Sequence, residues 1–104
     1  RLFSNLIINA IEACENKILA NIVIEQNIVN HNKLTIKITD NGDGIDEAMK
    51  SKIFTPNFTT KTSGTGLGLA ICKGIVEKAN GSIYFTTEKN IGTSFIVTLP
   101  LYKS

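Results

Sequence analysis

Residues 33–44 place the tightest restriction on what this chain can fold into. Lys33 to Thr39 alternates, with Leu34, Ile36 and Ile38 set against Thr35 and Lys37, and the pattern stops at Asp40-Asn41-Gly42-Asp43-Gly44. A period of two sends successive side chains to opposite faces, so this is a strand with one buried and one solvated face. Such a strand needs partners. Asn21 to Asn27 alternates with β-branched residues, and Asn30-His31-Asn32 between the two runs is a turn signal, which predicts an antiparallel hairpin. Ser82 to Glu88 and Thr93 to Leu99 predict a second hairpin around Lys89-Asn90-Ile91-Gly92.

Helical periodicity fills the rest. Residues 1 to about 17 carry Phe3, Leu6, Ile7, Ala10 and Cys14 at three- and four-residue spacing. A short helix is expected from about Asp46, with Asp46 as its cap. Leu67 to Ala79 reads as a second long helix, closed by Asn80-Gly81. Residues 55–66 are rich in Thr, Ser, Gly and Pro with little periodicity and read as a mobile loop. The order α-β-β-α-α-β-β predicts an α/β two-layer sandwich: a mixed, mainly antiparallel sheet covered on one face by helices.

A chain of 104 residues is a single domain with one core. Its 42% hydrophobic and 19% charged content is that of an ordinary globular chain, and a formal charge of +2 is slight. The basic residues are scattered, which leaves no footprint for nucleic acid or an anionic membrane. No apolar run approaches the roughly eighteen residues of a membrane span. Cys14 and Cys72 are far apart without paired metal-ligand spacing, and read as two reduced, buried thiols of a cytosolic protein. Arg1-Leu2-Phe3 opens directly in helical periodicity with no capping residue, so a native N-terminal part is expected to be missing.

Three segments bear chemistry. Asn5, Asn9, Glu12 and Asn16 form one polar stripe on the first helix, although Asn is a poor helix-interior residue. The stripe suits either solvent or a site into which an amide oxygen points, and such an oxygen suits magnesium. Asp40-Asn41-Gly42-Asp43-Gly44 is either an ordinary acidic turn or an acid at a strand end, with glycines that let a flat ligand approach. It is a poor calcium loop, because Gly42 and Gly44 stand where oxygen ligands belong. Gly64-Thr65-Gly66-Leu67-Gly68-Leu69 opens the second long helix, and free amides at a helix start attract phosphate. Neither a dinucleotide fingerprint nor a P-loop fits its spacing.

The segments also occur in a telling order. Asn5-Leu6-Ile7-Ile8-Asn9-Ala10, Asp40 to Ile45, Ile53-Phe54 through Phe58-Thr59-Thr60-Lys61, Gly64 to Ile71, and Gly92-Thr93-Ser94-Phe95 through Leu99-Pro100 closely resemble the N, G1, F, G2 and G3 boxes of sensor histidine kinases. The resemblance covers nearly the whole chain. Asn9-Ala10-Ile11-Glu12-Ala13 and the Thr59-Thr60-Lys61 loop look like the subgroup that includes the nitrogen-regulation kinases.

This resemblance implies the histidine-kinase ATPase fold, N-terminally truncated and lacking its first strand region. It implies binding of ATP with Mg2+, Asn9 holding the metal and Asn5 lining the site one turn away. Asp40 would recognise the adenine amino group, with Gly42, Gly44 and Ile45 shaping that pocket and Thr93 beneath the base. Gly64, Gly66 and Gly68 would place backbone amides at the phosphates, Phe54 and Phe58 would anchor a lid, Lys61 would meet the γ-phosphate, and Thr60, Thr65, Leu67 and Leu69 would also belong to the ATP-binding set. One residue departs from the pattern: Glu12 stands where many members carry a basic residue, which leaves Lys61 to neutralise phosphate charge. Related ATPases of the same superfamily place a Glu where this chain has Asn5, so the resemblance favours a kinase over an ATPase or a non-catalytic nucleotide-binding module.

The implied reaction is γ-phosphoryl transfer to a histidine on a separate dimerisation and phosphoacceptor domain, with a response regulator downstream in a two-component phosphorelay. His31 is the only histidine and sits in a predicted turn, so this segment is not its own acceptor. The implied setting is a cytoplasmic domain, without direct membrane or nucleic-acid contact, in a homodimeric protein that can be anchored in the inner membrane.

Overall fold

The computed structural model describes residues 2–14, 19–54 and 68–101. The first helix, α1 (Leu2–Ala13), forms where Leu2, Leu6 and Ala10 recur one turn apart, and these three are buried. Cys14 extends the buried stripe by a further turn, and its amide closes the helix end by donating to the Ile11 carbonyl at 3.1 Å. The helix expected to about residue 17 therefore ends at Ala13, and residues 15–18 lie outside the described span. Strands β1 (Ile22–Val29) and β2 (Lys33–Asp40) form the expected hairpin, with β1 running two residues beyond the expected Asn27. Asn30 and His31 turn the chain with φ of 55° and 62°, and the Asn32 amide donates to the Val29 carbonyl. Two successive left-handed residues suit the right-handed twist of the strands they join.

The short helix after the Asp40 turn is a single 3-10 turn, Glu47–Met49. Asp46 precedes it without a capping hydrogen bond from its side chain. Its carboxylate pairs instead with the Lys89 ammonium at 3.1 Å, so the expected cap is a tie to the far hairpin. The second helix, α2 (Gly68–Lys78), lies within the predicted Leu67 to Ala79, with Leu67 outside the described residues. At its end Asn80 adopts φ 62°, its amide donates to the Glu77 carbonyl, and the Gly81 amide donates to the Val76 carbonyl. This is a Schellman closure with Asn in the left-handed place. Gly81 is needed for another reason, since a β-carbon there would drive into the Thr98 carbonyl.

Strands β3 (Ser82–Glu88) and β4 (Gly92–Pro100) complete a sheet ordered β1-β2-β4-β3. A mixed, mainly antiparallel sheet is the sequence expectation, and every pairing among the described residues is antiparallel. Register places Ile38 beside Phe95 and Phe85, and Ile36 beside Val97 and Ile83, on one face. Helices α1 and α2 cover that face, joining Leu2, Leu6, Ala10, Cys72 and Val76 to Ile38, Phe95 and Val97 in one core. The α/β two-layer sandwich follows from this one-sided burial. Both cysteines are free and buried.

Candidate nucleotide site

The apolar rows of the core end in a polar one. Asp40 on β2 pairs across the sheet with Thr93 on β4, which pairs with Thr87 on β3. These positions are in phase with the core face, one step beyond Ile38, Phe95 and Phe85. Asp40 and Thr93 are each only 4% exposed, and a carboxylate at such a depth needs donors. The Gly42 amide donates to Asp40 Oδ1 at 2.9 Å and the Thr93 amide to the same oxygen at 3.3 Å. Thr87 Oγ1 lies 2.8 Å from Thr93 Oγ1, accepts from the Ile45 amide at 2.9 Å and reaches the Gly92 carbonyl at 3.2 Å. One hydroxyl thus binds the turn after β2 to the start of β4.

The glycines of that turn serve close packing. A β-carbon on Gly42 would collide with the Ala13 carbonyl at the end of α1. Gly44 has φ 76° and its α-carbon rests on the Glu88 carbonyl, while Gly92 rests likewise on that of Asp40. The Asn90 amide donates to the Asp43 carbonyl at 2.7 Å, so the β3–β4 turn clasps the Asp40 turn from the other side. Ile45 packs against the core.

On α1, Asn5, Asn9 and Glu12 form a half-buried flank beside the buried stripe. Asn5 hydrogen-bonds Cys72 of α2, so the flank faces that helix, and Asn9 follows one turn later. Burial pushes the Cys72 thiol above its ordinary pKa, against the smaller opposing effect of the Asn5 bond. The thiol donates to the Leu2 carbonyl at 3.6 Å. Phe54 packs edge-on to Phe85 and Phe95, with centroids 6.0 and 6.3 Å away, and the Lys73 ammonium lies 5.7 Å from its ring centroid. Leu69 packs at the core margin near the start of α2, where Gly68 is its first residue. Phe58, Thr60, Lys61, Gly64, Thr65, Gly66 and Leu67 lie outside the described residues.

The chain matches the family model for histidine kinase-, DNA gyrase B- and HSP90-like ATPases over residues 1–103. The chain belongs to this family. Within it, the relatives are sensor kinases. Sporulation kinase D of Bacillus subtilis is 47% identical over 72 residues, 69% of this chain and 14% of that protein. The signal transduction histidine-protein kinase AtoS of Escherichia coli is 39% identical over 97 residues, 93% of this chain and 16% of that protein. The solved catalytic domain of histidine kinase ThkA superposes with a TM-score of 0.78 at 41% identity, covering 95% of this chain and 63% of that one. The chain thus spans under a fifth of these two curated relatives' length. It is an ATPase domain of the histidine-kinase type, which implies ATP binding, and its expected fold and family are those found.

Two residues of the polar assembly escape the motif reading. Asn41 is readable only as a turn former, yet its side chain bonds three distant groups. Thr87 has a usable signal: a polar residue in phase with Ile83 and Phe85, opposite the equally anomalous Thr93.

Proposed function

We propose that this domain binds Mg2+-ATP and transfers the γ-phosphoryl group to a histidine on a separate dimerisation and phosphoacceptor domain, as the catalytic unit of a two-component sensor kinase. The observation that carries the reading is the polar row at the open end of an otherwise apolar face, in which Asp40 and Thr93 are buried and Thr87 is half-buried. An ionised carboxylate is an acceptor only, and Asp40 is suited to the exocyclic amine of adenine, with Thr93 adding a hydroxyl. Gly42, Gly44 and Ile45 hold the Asp40 turn against α1 and β3.

The donor set fits a magnesium ion held largely by phosphate and water. Among the described residues no three His, Cys, Asp or Glu side chains gather, and the Asn9 amide offers one neutral, hard oxygen. Bound magnesium would supply charge neutralisation at the phosphates. Asn9 would hold it, Lys61 and Thr60 would contact the γ-phosphate, and Gly64, Thr65, Gly66, Leu67, Gly68 and Leu69 would present backbone amides to the phosphate chain. Phe54 and Phe58 would anchor the intervening lid. In the transfer the bond from the γ-phosphorus to the bridging oxygen breaks, a bond to an imidazole nitrogen forms, and ADP leaves. A neutral imidazole, of unperturbed pKa about 6.5, is already nucleophilic near neutral pH, so Asn5, which accepts no proton, suffices beside the site.

The same reading makes residues 1–104 one catalytic unit of a longer, homodimeric protein that acts on a response regulator. Its decisive test is a phosphotransfer assay with γ-labelled ATP and a separate acceptor domain. Label on the acceptor histidine is expected. ATP binding without transfer would instead leave a nucleotide-binding module, and rapid phosphate release without transfer would make the domain a hydrolase.

A further inference from the structure

The residue after Asp40 is tied to the opposite side of the site. Asn41 Oδ1 accepts from the Asn21 amide at 2.8 Å and from the Cys14 thiol at 3.3 Å, while Nδ2 donates to the Leu19 carbonyl at 2.9 Å. An Asn that merely makes a turn bonds its own near backbone, two residues on. Here all three partners lie 20 to 27 residues away, at the end of α1 and the lead into β1. The same peptide that carries Asn41 delivers the Gly42 amide to Asp40 Oδ1, and Gly42 abuts the Ala13 carbonyl. Asn9 lies one helical turn before Ala13. Shifting the end of α1 therefore shifts the Asn9 flank relative to the Asp40 carboxylate.

We infer that Asn41 is a positioning residue that fixes the spacing between the two ends of the nucleotide site, the α1 flank bearing Asn9 and the β2 end bearing Asp40. The inference rests on the Mg2+-ATP reading given above. A nucleotide that spans both ends senses their spacing, whereas adenosine, held at the base end alone, does not. Small misplacements of groups that act together are felt strongly, and about tenfold is the expected scale.

The test uses the full-length protein with Asn41→Ala and Asn41→Asp, at a temperature where melting curves show each fully folded. Adenosine and ATP binding are titrated, the latter across Mg2+ concentrations. Hydrogen exchange is followed at α1. For Asn41→Ala, Mg2+-ATP affinity is expected to fall about tenfold with a higher Mg2+ midpoint, and adenosine affinity to change less than about threefold. Amides near Ala13 are expected to exchange faster. Asn41→Asp keeps both acceptor bonds and loses the bond to Leu19, so an intermediate effect is expected; it carries the test if the alanine variant does not fold. An unchanged Mg2+ midpoint in a folded variant overturns the inference and leaves a structural tie. Equal losses for adenosine and Mg2+-ATP overturn it as well, since they place the effect at Asp40 alone. If the unmodified protein binds no Mg2+-ATP, the nucleotide reading itself falls and takes this inference with it.

Discussion

Asp40 stands where the alternation of β2 calls for another Leu or Ile, and its burial against two amide donors is a cost the fold sustains for some use. Asp40→Asn keeps the volume and the oxygen that accepts from Gly42 and Thr93, but replaces the other acceptor with a donor. Folding is expected to survive while ATP affinity falls about tenfold or more, as calorimetric titration would show, because a donor would face the adenine amine. Full affinity in a folded Asp40→Asn variant removes Asp40 from base recognition. A second residue gives a pH signature. The folded state holds the Cys72 proton more tightly than the unfolded chain, because burial disfavours the thiolate. Its contribution is fully present below the ordinary thiol pKa and lost as pH rises through the raised value. Chemical unfolding across mildly alkaline pH should therefore show a decline that Cys72→Ala, destabilised overall, does not share. Asp40 is legible in the sequence as an acid that ends an alternating strand, and Thr93 only through the family resemblance. Asn41 is not, since its partners depend on where the end of α1 comes to rest.

At the level of elements, alternation and helical spacing recover both hairpins and both helices, because one-sided burial imposes those periods on the sequence. What they miss is set by contacts between elements. Asp46 looks like a cap by residue type, but Lys89 captures its carboxylate and the helix reduces to one 3-10 turn. Gly42 and Gly44 read as glycines that let a flat ligand approach, and the carbonyls of Ala13 on α1 and Glu88 on β3 add a packing demand for glycine that residue type does not reveal. The β1–β2 turn carries a testable strain. His31 is exposed at φ 62°, a conformation that costs an ordinary side chain about 1 kcal/mol and costs glycine little. His31→Gly is expected to stabilise the domain by about 0.5 kcal/mol after glycine's greater unfolded-state entropy is counted. Urea melts of the two proteins check this. Destabilisation by more than about 0.5 kcal/mol would mean that the imidazole makes contacts outweighing the strain.

The whole molecule is unevenly covered. Helix α1 rests chiefly on β2, and α2 on β3 and β4, while seven of the eight residues of β1 are exposed. Ile24 and Ile28 lie in phase with the core face of β2, opposite Ile38 and Leu34, yet are 55% and 63% exposed. Ile8 and Ile11 on α1 are 51% and 54% exposed. Isolated apolar residues at a surface need no explanation, but a core-phased pair on an edge strand is a surface suited to being covered. This chain covers 63% of the matched ThkA catalytic domain, so that domain contains further polypeptide. We propose that parent-protein chain outside residues 1–104 packs on the apolar face of β1 and completes the catalytic unit. Ile24→Lys with Ile28→Lys separates the possibilities when made in two backgrounds. In residues 1–104 alone, the pair is expected to change stability little and to reduce self-association, measured by urea melts and sedimentation. In the full-length protein, each buried isoleucine lost from an apolar contact is expected to cost about 1.5–3 kcal/mol, with earlier unfolding of the catalytic unit. Equal tolerance of the double change in both backgrounds would show that β1 stays bare in the parent protein, and the proposed covering segment would be wrong.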